Sequence, residues 1–548
     1  MAESLPSSSL PQRIATATSR GGTITFISGD DAPVRVPWAQ LHDEARGVAG
    51  ALQARGIGPG AHVALLAPTS RALVTAIQAT WLAGAVAVVL PLPMRMSSIE
   101  EFVSQTRTRV RNADATVLVI DAELAPFVEP MAGDPPFVVL QELGMGAFDE
   151  PTIDPDSLAV LQFTSGSTAL PKGVMLPHRT ILANLDGAAA AARLDPDDDV
   201  IVSWLPLYHD MGLIGLLTLP MITGTDLVLA APQDFMASPS RWMQWMSDFS
   251  ATATAGPNFS YALAARALKR LDNLDISRWR VALNGAEPID PATVGDFCAA
   301  GARHGLDAGA AFPAFGMAEL AIAGTFPEPG AGLRMDTIDR FSLEHDRYAK
   351  QCGPDEGRSF ALLGRPVDGL EIRICAPESG AELRDREIGE LEFRGTSVTP
   401  GYYNRPDATE ATMHDGWLRT GDLAYTLDGE LVVCGRIKDV IIVGGRNVFP
   451  EDVEAAASGA DGVRAGNVIA FGISGRRGQE AVVIVAETKA DDSAPVRDDV
   501  ARRVRQSVGL PPTDIVMVGP GTLPKTSSGK LQRSLCRDRY LTEELQPV

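Results

Sequence analysis

Between Leu161 and His178 the chain reads LQFTSGSTALPKGVMLPH. An apolar run ends in five small residues, Thr164, Ser165, Gly166, Ser167 and Thr168, and Lys172 stands four positions further on. Glycine and small hydroxyl residues after a strand let backbone N–H groups converge on an anion, and the hydroxyls add further donors. Lys172 adds a mobile positive charge within reach of the same place. Polyphosphate is the natural guest of such a loop. It is not a Walker loop, because GxxxxGK[ST] is absent here and Lys530 in TSSGKLQ is followed by leucine. A nucleotide would therefore be held by a different design.

The loop must be carried by strands. LAVLQFT (158–164) reads as a buried strand leading into it, and HVALLAP (62–68), VAVVLPL (86–92), TVLVID (116–121), DLVLAA (226–231) and RVALNG (280–285) read as others. The segment SRALVTAIQATWLAGA between the first two of these latter strands has a helical pattern. Strand, helix and strand in succession imply a parallel sheet, hence α/β architecture. From Gly364 the texture changes, and EIRICAPESGAELRDREIGELEFRG alternates like an antiparallel hairpin or small barrel. After GRIKD comes a compact tail, with strands near VIIVGG, NVIAFGI and AVVIVAET and a helix near VRDDVARRVRQSVG. The boundary is expected near Arg436–Asp439, which divides the chain into 1–437 and 438–548.

A chain of 548 residues exceeds what one hydrophobic core sustains. Its formal net charge of −21 argues against a nucleic-acid partner, which needs a basic surface. Residues 439–548 hold 14 Lys/Arg against 15 Asp/Glu, a net of −1, so the rest of the chain carries −20. That asymmetry fits a separate C-terminal module. The five cysteines are odd in number and lack a CxxC pair, which suits reduced thiols in the cytoplasm. The histidines show no metal-ligand spacing. MAESLPSSSLPQ lacks the basic and apolar regions of a signal peptide and is expected to be a disordered lead-in. The most apolar stretch, Ala72–Leu92, is broken by Thr, Gln and Gly into a helix and a strand, so no membrane span is expected.

Seven motifs in order resemble the adenylate-forming superfamily of acyl-CoA synthetases, fatty acyl-AMP ligases and peptide-synthetase adenylation domains. They are TSGSTALPKG (164–173), WLPLYHDMGL (204–213), NGAEP (284–288), FGMAE (315–319), TGDL (420–423), GRIKDVIIVGGRNVFPEDVE (435–454) and LPKTSSGKLQR (523–533). The resemblance covers nearly the whole chain. It implies a large N-terminal part of two α/β subdomains plus a small β-barrel, then a small mobile α+β domain. It also implies attack of a carboxylate on the α-phosphate of ATP, with Mg²⁺ and with loss of pyrophosphate.

Residue by residue, the resemblance makes Glu319 the Mg²⁺ ligand and lays Phe315 on the adenine, where the family more often has tyrosine. Gly285, Ala286 and Glu287 would pack against the base, with Gly316, Met317 and Ala318 lining the same site. Asp422 would accept the ribose hydroxyls with Arg436 beside it. Lys438 takes the hinge position, and Lys530 would swing in to bridge the carboxylate and the α-phosphate. His209 and Asp210 invite a general-base reading, but adjacent residues rarely point at each other. The substrate is also already an anion at neutral pH. The resemblance instead has His209 gate or pack beside the carboxylate. Ala169 stands where the family often has glycine.

The FDxS-type aspartate that pairs with an amino group is replaced by WLPLYHDMGLIG in apolar surroundings, which favours an uncharged tail. SWLPLYHDMGLIG, ASPSRWMQWMSDFSATATAGPNFSYAL, Ala318 in FGMAE and the long span from Glu319 to Gly364 resemble the fatty acyl-AMP ligases of actinobacterial lipid, polyketide and siderophore pathways. The likeness to mycobactin-type acyl-carrier-protein ligases is especially close. These ligases pass the acyl group to a carrier-protein phosphopantetheine arm. The alternatives are a fatty acyl-CoA synthetase and a non-catalytic nucleotide-binding protein. Arg497, Arg502, Arg503, Arg505, Arg533, Arg537 and Arg539 are expected to form a basic patch for an acidic carrier protein.

Overall fold

Short apolar runs of four to six residues become two mixed sheets, because such runs are buried on both faces when helices cover the sheet. The computed structural model describes residues 8–92, 99–164, 171–353, 356–443, 446–474, 480–526 and 530–548. One sheet has the order Phe137–Val139, Val117–Ile120, His62–Leu66, Val86–Val89, Leu158–Phe163, Gly173–Pro177. Its pairings are parallel except the last, where Leu158–Phe163 and Gly173–Pro177 form an antiparallel pair joined by the Thr164–Lys172 loop. The other sheet runs Ala311–Pro313, Val281–Asn284, Ala253–Gly256, Val200–Ser203, Asp226–Leu229, Thr23–Phe26, Val34–Pro37. Only its last pairing is antiparallel.

The helix Arg71–Leu82 begins where the Ser70 hydroxyl accepts the Leu73 N–H, at 3.3 Å. Every residue from Leu73 to Leu82 is buried. A helix covered on all sides is mostly apolar on every face, which is why this stretch is the most apolar in the chain although it buries Thr75, Gln78 and Thr80. No described helix is long and apolar enough to cross a membrane.

The expectation of a disordered lead-in fails from Leu10 onward. Ser9 and Gln12 form a capping box, and the helix Leu10–Ala17 buries Leu10 and Ile14, four residues apart on one face. The Leu10 N–H also donates to His178 Nδ1 at 3.3 Å, tying this helix to the start of the helix His178–Ala191. Burial there pushes the His178 imidazole down to about 4.

Past Gly364 the strands Leu370–Cys375, Gly389–Gly395 and Trp417–Leu427 pair antiparallel, with Met413–His414 and Glu430–Arg436 also on Trp417–Leu427. The tail builds a separate three-stranded sheet from Val463–Ser474, Glu480–Thr488 and Asp514–Val518. The helix Ala494–Val508 turns Val496, Val500, Val504 and Val508 onto this sheet at a spacing of four and leaves its arginines outside. Each such buried valine contributes roughly 1.5 kcal/mol as an upper estimate. The tail joins the rest through Arg358–Asp452 at 3.0 Å, through Arg446 on Glu344, and through Asn447 Nδ2 donating to the Glu344 carbonyl at 2.9 Å.

Candidate active site

In sheets of this kind ligands collect at the carboxyl ends of the parallel strands. Four neighbouring strands end there on the segments Trp204–Asp210, Pro257–Asn258, Gly285–Glu287 and Ala314–Glu319. The antiparallel pair carrying the Thr164–Lys172 loop belongs to the other sheet. Thr164 N–H donates to the Lys172 carbonyl at 3.0 Å and closes the base of that loop. Ser165, Gly166, Ser167, Thr168 and Ala169 lie outside the described residues.

Glu319 is set by a tight local design. The short strand Phe315–Gly316 is followed by one 3₁₀ turn, Ala318–Leu320, ending at Ala321 with φ +67°. A Cβ on Gly316 would stand 2.0 Å from the Ile322 carbonyl, so only glycine allows the Met317 N–H to donate to that carbonyl at 3.0 Å. The Glu319 backbone carbonyl accepts Thr399 N–H at 2.8 Å, and its carboxylate accepts the Tyr402 hydroxyl at 2.8 Å. Burial pushes the carboxyl up and the Tyr402 bond pulls it down. The nearby Asp210 charge adds to the rise and Arg436 opposes it. The Phe315 ring lies parallel to that of Phe393, centroids 5.8 Å apart.

Gly285 and Ala286 follow the strand Val281–Asn284 closely against the chain at Ala314. A Cβ on Gly285 would come to 3.0 Å of the Ala314 carbonyl, and Ala286 itself has φ +69°. An L-residue in that region costs about 1 kcal/mol, a strain the fixed strand end sustains. The Glu287 carboxylate accepts Phe259 N–H at 2.7 Å, at the start of the helix Asn258–Leu268. Burial raises its pKa, offset in part by that bond and by the charges of Lys530 and Lys525.

Asp422 and Arg436 are direct partners across the antiparallel pair Trp417–Leu427 and Glu430–Arg436. Arg436 Nε donates to Asp422 Oδ1 at 2.9 Å. Asp422 is buried, which raises its pKa against the pull of Arg436. Lys438 sits in the turn Ile437–Asp439, with its ammonium disfavoured first by burial, then by Arg436, and also by Lys172.

His209 and Asp210 overturn the expectation that neighbours face apart. His209 Nδ1 lies 2.5 Å from Asp210 Oδ1. The helix Met211–Thr218 starts immediately after them, and Asp210 caps it by accepting Met211 N–H at 2.8 Å. Capping turns the aspartate back over the chain toward the imidazole, so both side chains meet at one helix end. Asp210 is buried. Burial alone would raise its pKa, but His209 and then Lys530 hold it below the usual carboxylate range.

Lys530 comes into this same group from the C-terminal tail. Its N–H donates to Thr526 Oγ1 at 3.0 Å, and Thr526 N–H donates to the Lys530 carbonyl at 2.8 Å. Burial disfavours its ammonium, while the carboxylates of Asp210 and Glu287 favour it. Through these fields Lys172, Arg436, Lys438 and Lys530 form one electrostatically linked set with Asp210, Glu287, Glu319 and Asp422. Such a set can neutralise and orient a polyphosphate and a second anion together.

Three participants were not legible as site residues. Asp210 was set aside by the neighbour argument. Tyr402 lies 83 residues from the glutamate it binds, and no spacing could have joined them. Arg533 is no surface charge: it reaches Asp439 at 2.6 Å, Glu451 at 3.4 Å and Glu454 at 2.9 Å. Half-buried carboxylates gathered this closely need a counter-charge, and Arg533 provides it, so it leaves the expected basic patch. Arg502 and Arg503 both pair with Asp499 on the outside of their helix. Below the segment Trp204–Asp210 lies an aromatic block in which Trp204 stacks on Phe235 at 3.7 Å and meets Trp242 edge-on at 5.7 Å. It extends through Tyr261, Trp279 and Phe297.

The family model described as AMP-binding enzyme matches residues 14–403. A putative ligase, Rv1013, of Mycobacterium tuberculosis is 38% identical over 528 residues, which is 94% of this chain and 97% of the relative. JamA of Moorena producens, named a medium-chain-fatty-acid–[acyl-carrier-protein] ligase, is 30% identical over 94% of this chain and 92% of its own. A solved structure from work on fatty acyl-adenylate ligases of E. coli and L. pneumophila superposes with a TM-score of 0.91 at 29% identity, covering 98% of both chains.

Proposed function

Because this chain belongs to the AMP-binding enzyme family, whose chemistry is the ATP-dependent formation of acyl-adenylates, we propose that it activates a medium- or long-chain fatty acid and passes the acyl group to a carrier protein. In the first step a carboxylate oxygen of the fatty acid attacks the α-phosphorus of ATP. The new O–P bond forms as the bond to the bridging oxygen breaks, and pyrophosphate leaves with the electron pair. No proton is removed, so no general base is needed. In the second step the phosphopantetheine sulfur attacks the acyl carbonyl carbon, AMP leaves, and the thiol proton passes to solvent.

Each residue has a task that follows from charge. Thr164, the small residues after it and Lys172 hold the phosphates. Asp422 accepts the ribose hydroxyls with Arg436 fixing its orientation. Phe315, Gly285 and Ala286 flank the base, with Gly316, Met317 and Ala318 behind them. Lys530 meets the charge that builds between carboxylate and α-phosphate. The donor set fits Mg²⁺ arriving with the phosphates: Glu319 is one half-buried carboxylate, and among the described residues no group of three side chains would cage a metal alone. When bound, the ion would neutralise phosphate oxygens. The aromatic block beneath Trp204–Asp210 supports an uncharged tail.

We place the division of the chain at 437/438 with Lys438 as the hinge, because the tail keeps apolar clusters of its own. Five free cysteines support a reducing cytoplasmic setting. The name of JamA supports the carrier protein as acceptor, and siderophore or lipid assembly is the setting that the motif likeness suggests.

The observation that carries this reading is that Lys530, half-buried at the end of the tail, lies in the fields of Asp210 and Glu287, carboxylates of another region, where an ordinary loop lysine would stand free in solvent. Purified protein with ATP, Mg²⁺ and fatty acids of graded length should form acyl-AMP and exchange pyrophosphate. A phosphopantetheinylated carrier protein should then be acylated, with free CoA giving little thioester. Rapid acyl-CoA formation at micromolar CoA would make the enzyme an acyl-CoA synthetase, and nucleotide binding without exchange would make it a non-catalytic nucleotide-binding protein.

A further inference from the structure

Tyr402 touches two of the groups just described, and neither the sequence motifs nor the relatives assign it a role. Its hydroxyl donates to Glu319 Oε1 at 2.8 Å, while Lys172 Nζ stands 4.7 Å from the centre of its ring. The arrangement is built rather than incidental. Just after Lys172 the chain enters the strand Gly173–Pro177, and the segment Gly401–Tyr403 pairs along it. Met175 N–H donates to the Gly401 carbonyl at 3.1 Å, Tyr403 N–H to the Gly173 carbonyl at 2.8 Å, and Val174 bridges Tyr402. Tyr402 N–H donates to Thr409 Oγ1 at 2.9 Å, and the side chain is 7% exposed. Its neighbour Thr399 holds the backbone on either side: Thr399 N–H donates to the Glu319 carbonyl at 2.8 Å, and its hydroxyl donates to the Met175 carbonyl at 2.6 Å. One short segment is thus stitched to the lysine strand and to the glutamate turn.

We propose that Tyr402 is a positioning residue of the triphosphate site, with its ring seating the Lys172 ammonium and its hydroxyl orienting the Glu319 carboxylate. The two functions are chemically separable. The ring face attracts a cation whether or not the hydroxyl is present. The hydroxyl fixes one carboxylate oxygen and leaves the other lone pairs for a cation. Lys172 meets phosphate from its seat on the ring, so losing the ring costs affinity for the nucleotide itself. Losing the hydroxyl costs only what Glu319 contributes. The proposal rests on the nucleotide-site reading above.

The test is equilibrium binding of ATP by calorimetry, in EDTA and again in excess Mg²⁺, for wild type, Tyr402→Phe and Tyr402→Leu, with melting temperatures for each. Tyr402→Phe should keep metal-free affinity within about twofold and lose about tenfold in the Mg²⁺ arm, the scale of a hydrogen bond to a charged group. Tyr402→Leu should also lose about fivefold without metal. Adding Tyr402→Phe to Glu319→Gln should cost nothing further in the Mg²⁺ arm, because the hydroxyl acts through the carboxylate. A Tyr402→Phe protein that binds as wild type in both arms, or that weakens both equally, overturns the proposal. Additive losses in the double variant overturn it as well, even if Tyr402→Leu does not fold. Wild-type protein that binds no ATP overturns the nucleotide-site reading and this proposal with it.

Discussion

Arg533 Nη1 donates to Asp439 Oδ2 at 2.6 Å, so the first residue of the helix Arg533–Leu541 is bonded to the last residue of the turn Ile437–Asp439. Lys530 is three residues from one end of this bond and Lys438 is beside the other. The same guanidinium also faces Glu451 and Glu454, so three carboxylates share one permanent cation. Burial pushes the Glu454 carboxyl up to about 7, and the Arg533 charge only partly offsets that. Arg533 itself is held charged, its pKa raised by these carboxylates against burial. Arg533 shifts as in a simple ion pair, but Glu454 does not, because in such a pair the acid would fall. The upward direction for Glu454 follows from its burial beside a second carboxylate, Glu451.

Arg533→Met should therefore destabilise the tail in a pH-dependent way. At pH 8 three half-buried carboxylates are left charged without their cation, at a cost of up to about 3 kcal/mol. The folded-state pKa of Glu454 is above its unfolded value, so the folded protein binds more protons between about 4.5 and 7, and stability already falls as pH rises through that window. Removing the cation moves the carboxyls further up and steepens this fall. Hydrogen exchange in the strand Val463–Ser474 should show a large loss at pH 8 and a small one at pH 5. An equal loss at both would mean that Arg533 acts through packing.

Lys530→Ala should lower pyrophosphate exchange by roughly 100-fold or more, the scale of losing one preorganised donor to transition-state charge. ATP affinity should change little, because the other nucleotide contacts come from residues before 437. Exchange within tenfold of wild type would remove Lys530 from the chemistry.

Lys438→Pro fixes φ near −65° at the proposed hinge. Lys530 already lies in the fields of Asp210 and Glu287, so adenylate formation should be spared. Transfer of the acyl group needs the thiol arm to enter where Lys530 stands, and it should slow by at least tenfold in single-turnover assays. Equal loss of both steps would assign the hinge elsewhere.

What was legible in the sequence was whatever local pattern determines. Apolar runs such as HVALL and LAVLQF became strands because their pattern and their burial agree, and Asp422 with Arg436 could be paired from motif order. Partnerships across distant segments were not legible. Tyr402 and Glu319 meet only because Gly401–Tyr403 lies along the strand Gly173–Pro177, which is a property of the sheet and not of either neighbourhood. Ser9 failed as a loop residue for the opposite reason: its capping box was local, but the serine-rich composition around it masked the signal.

Asp210 is the sharpest case, because the sequence argument dismissed it. It is buried, it bonds to His209, and its charge favours the ammonium of Lys530, which burial otherwise disfavours. Asp210→Asn keeps the shape and the helix cap through its amide oxygen but removes that charge. Lys530 then loses an upward pull, so its pKa falls further and the fraction charged declines at a lower pH than in wild type. The alkaline limb of the exchange rate should therefore move to lower pH, and the ratio of variant to wild type should worsen steadily from pH 7 to pH 10. His209→Gln should lower the rate without moving that limb as far, because the aspartate remains. A pH profile for Asp210→Asn parallel to wild type, whatever its height, would show that Asp210 only caps the helix and that Glu287 alone keeps Lys530 charged.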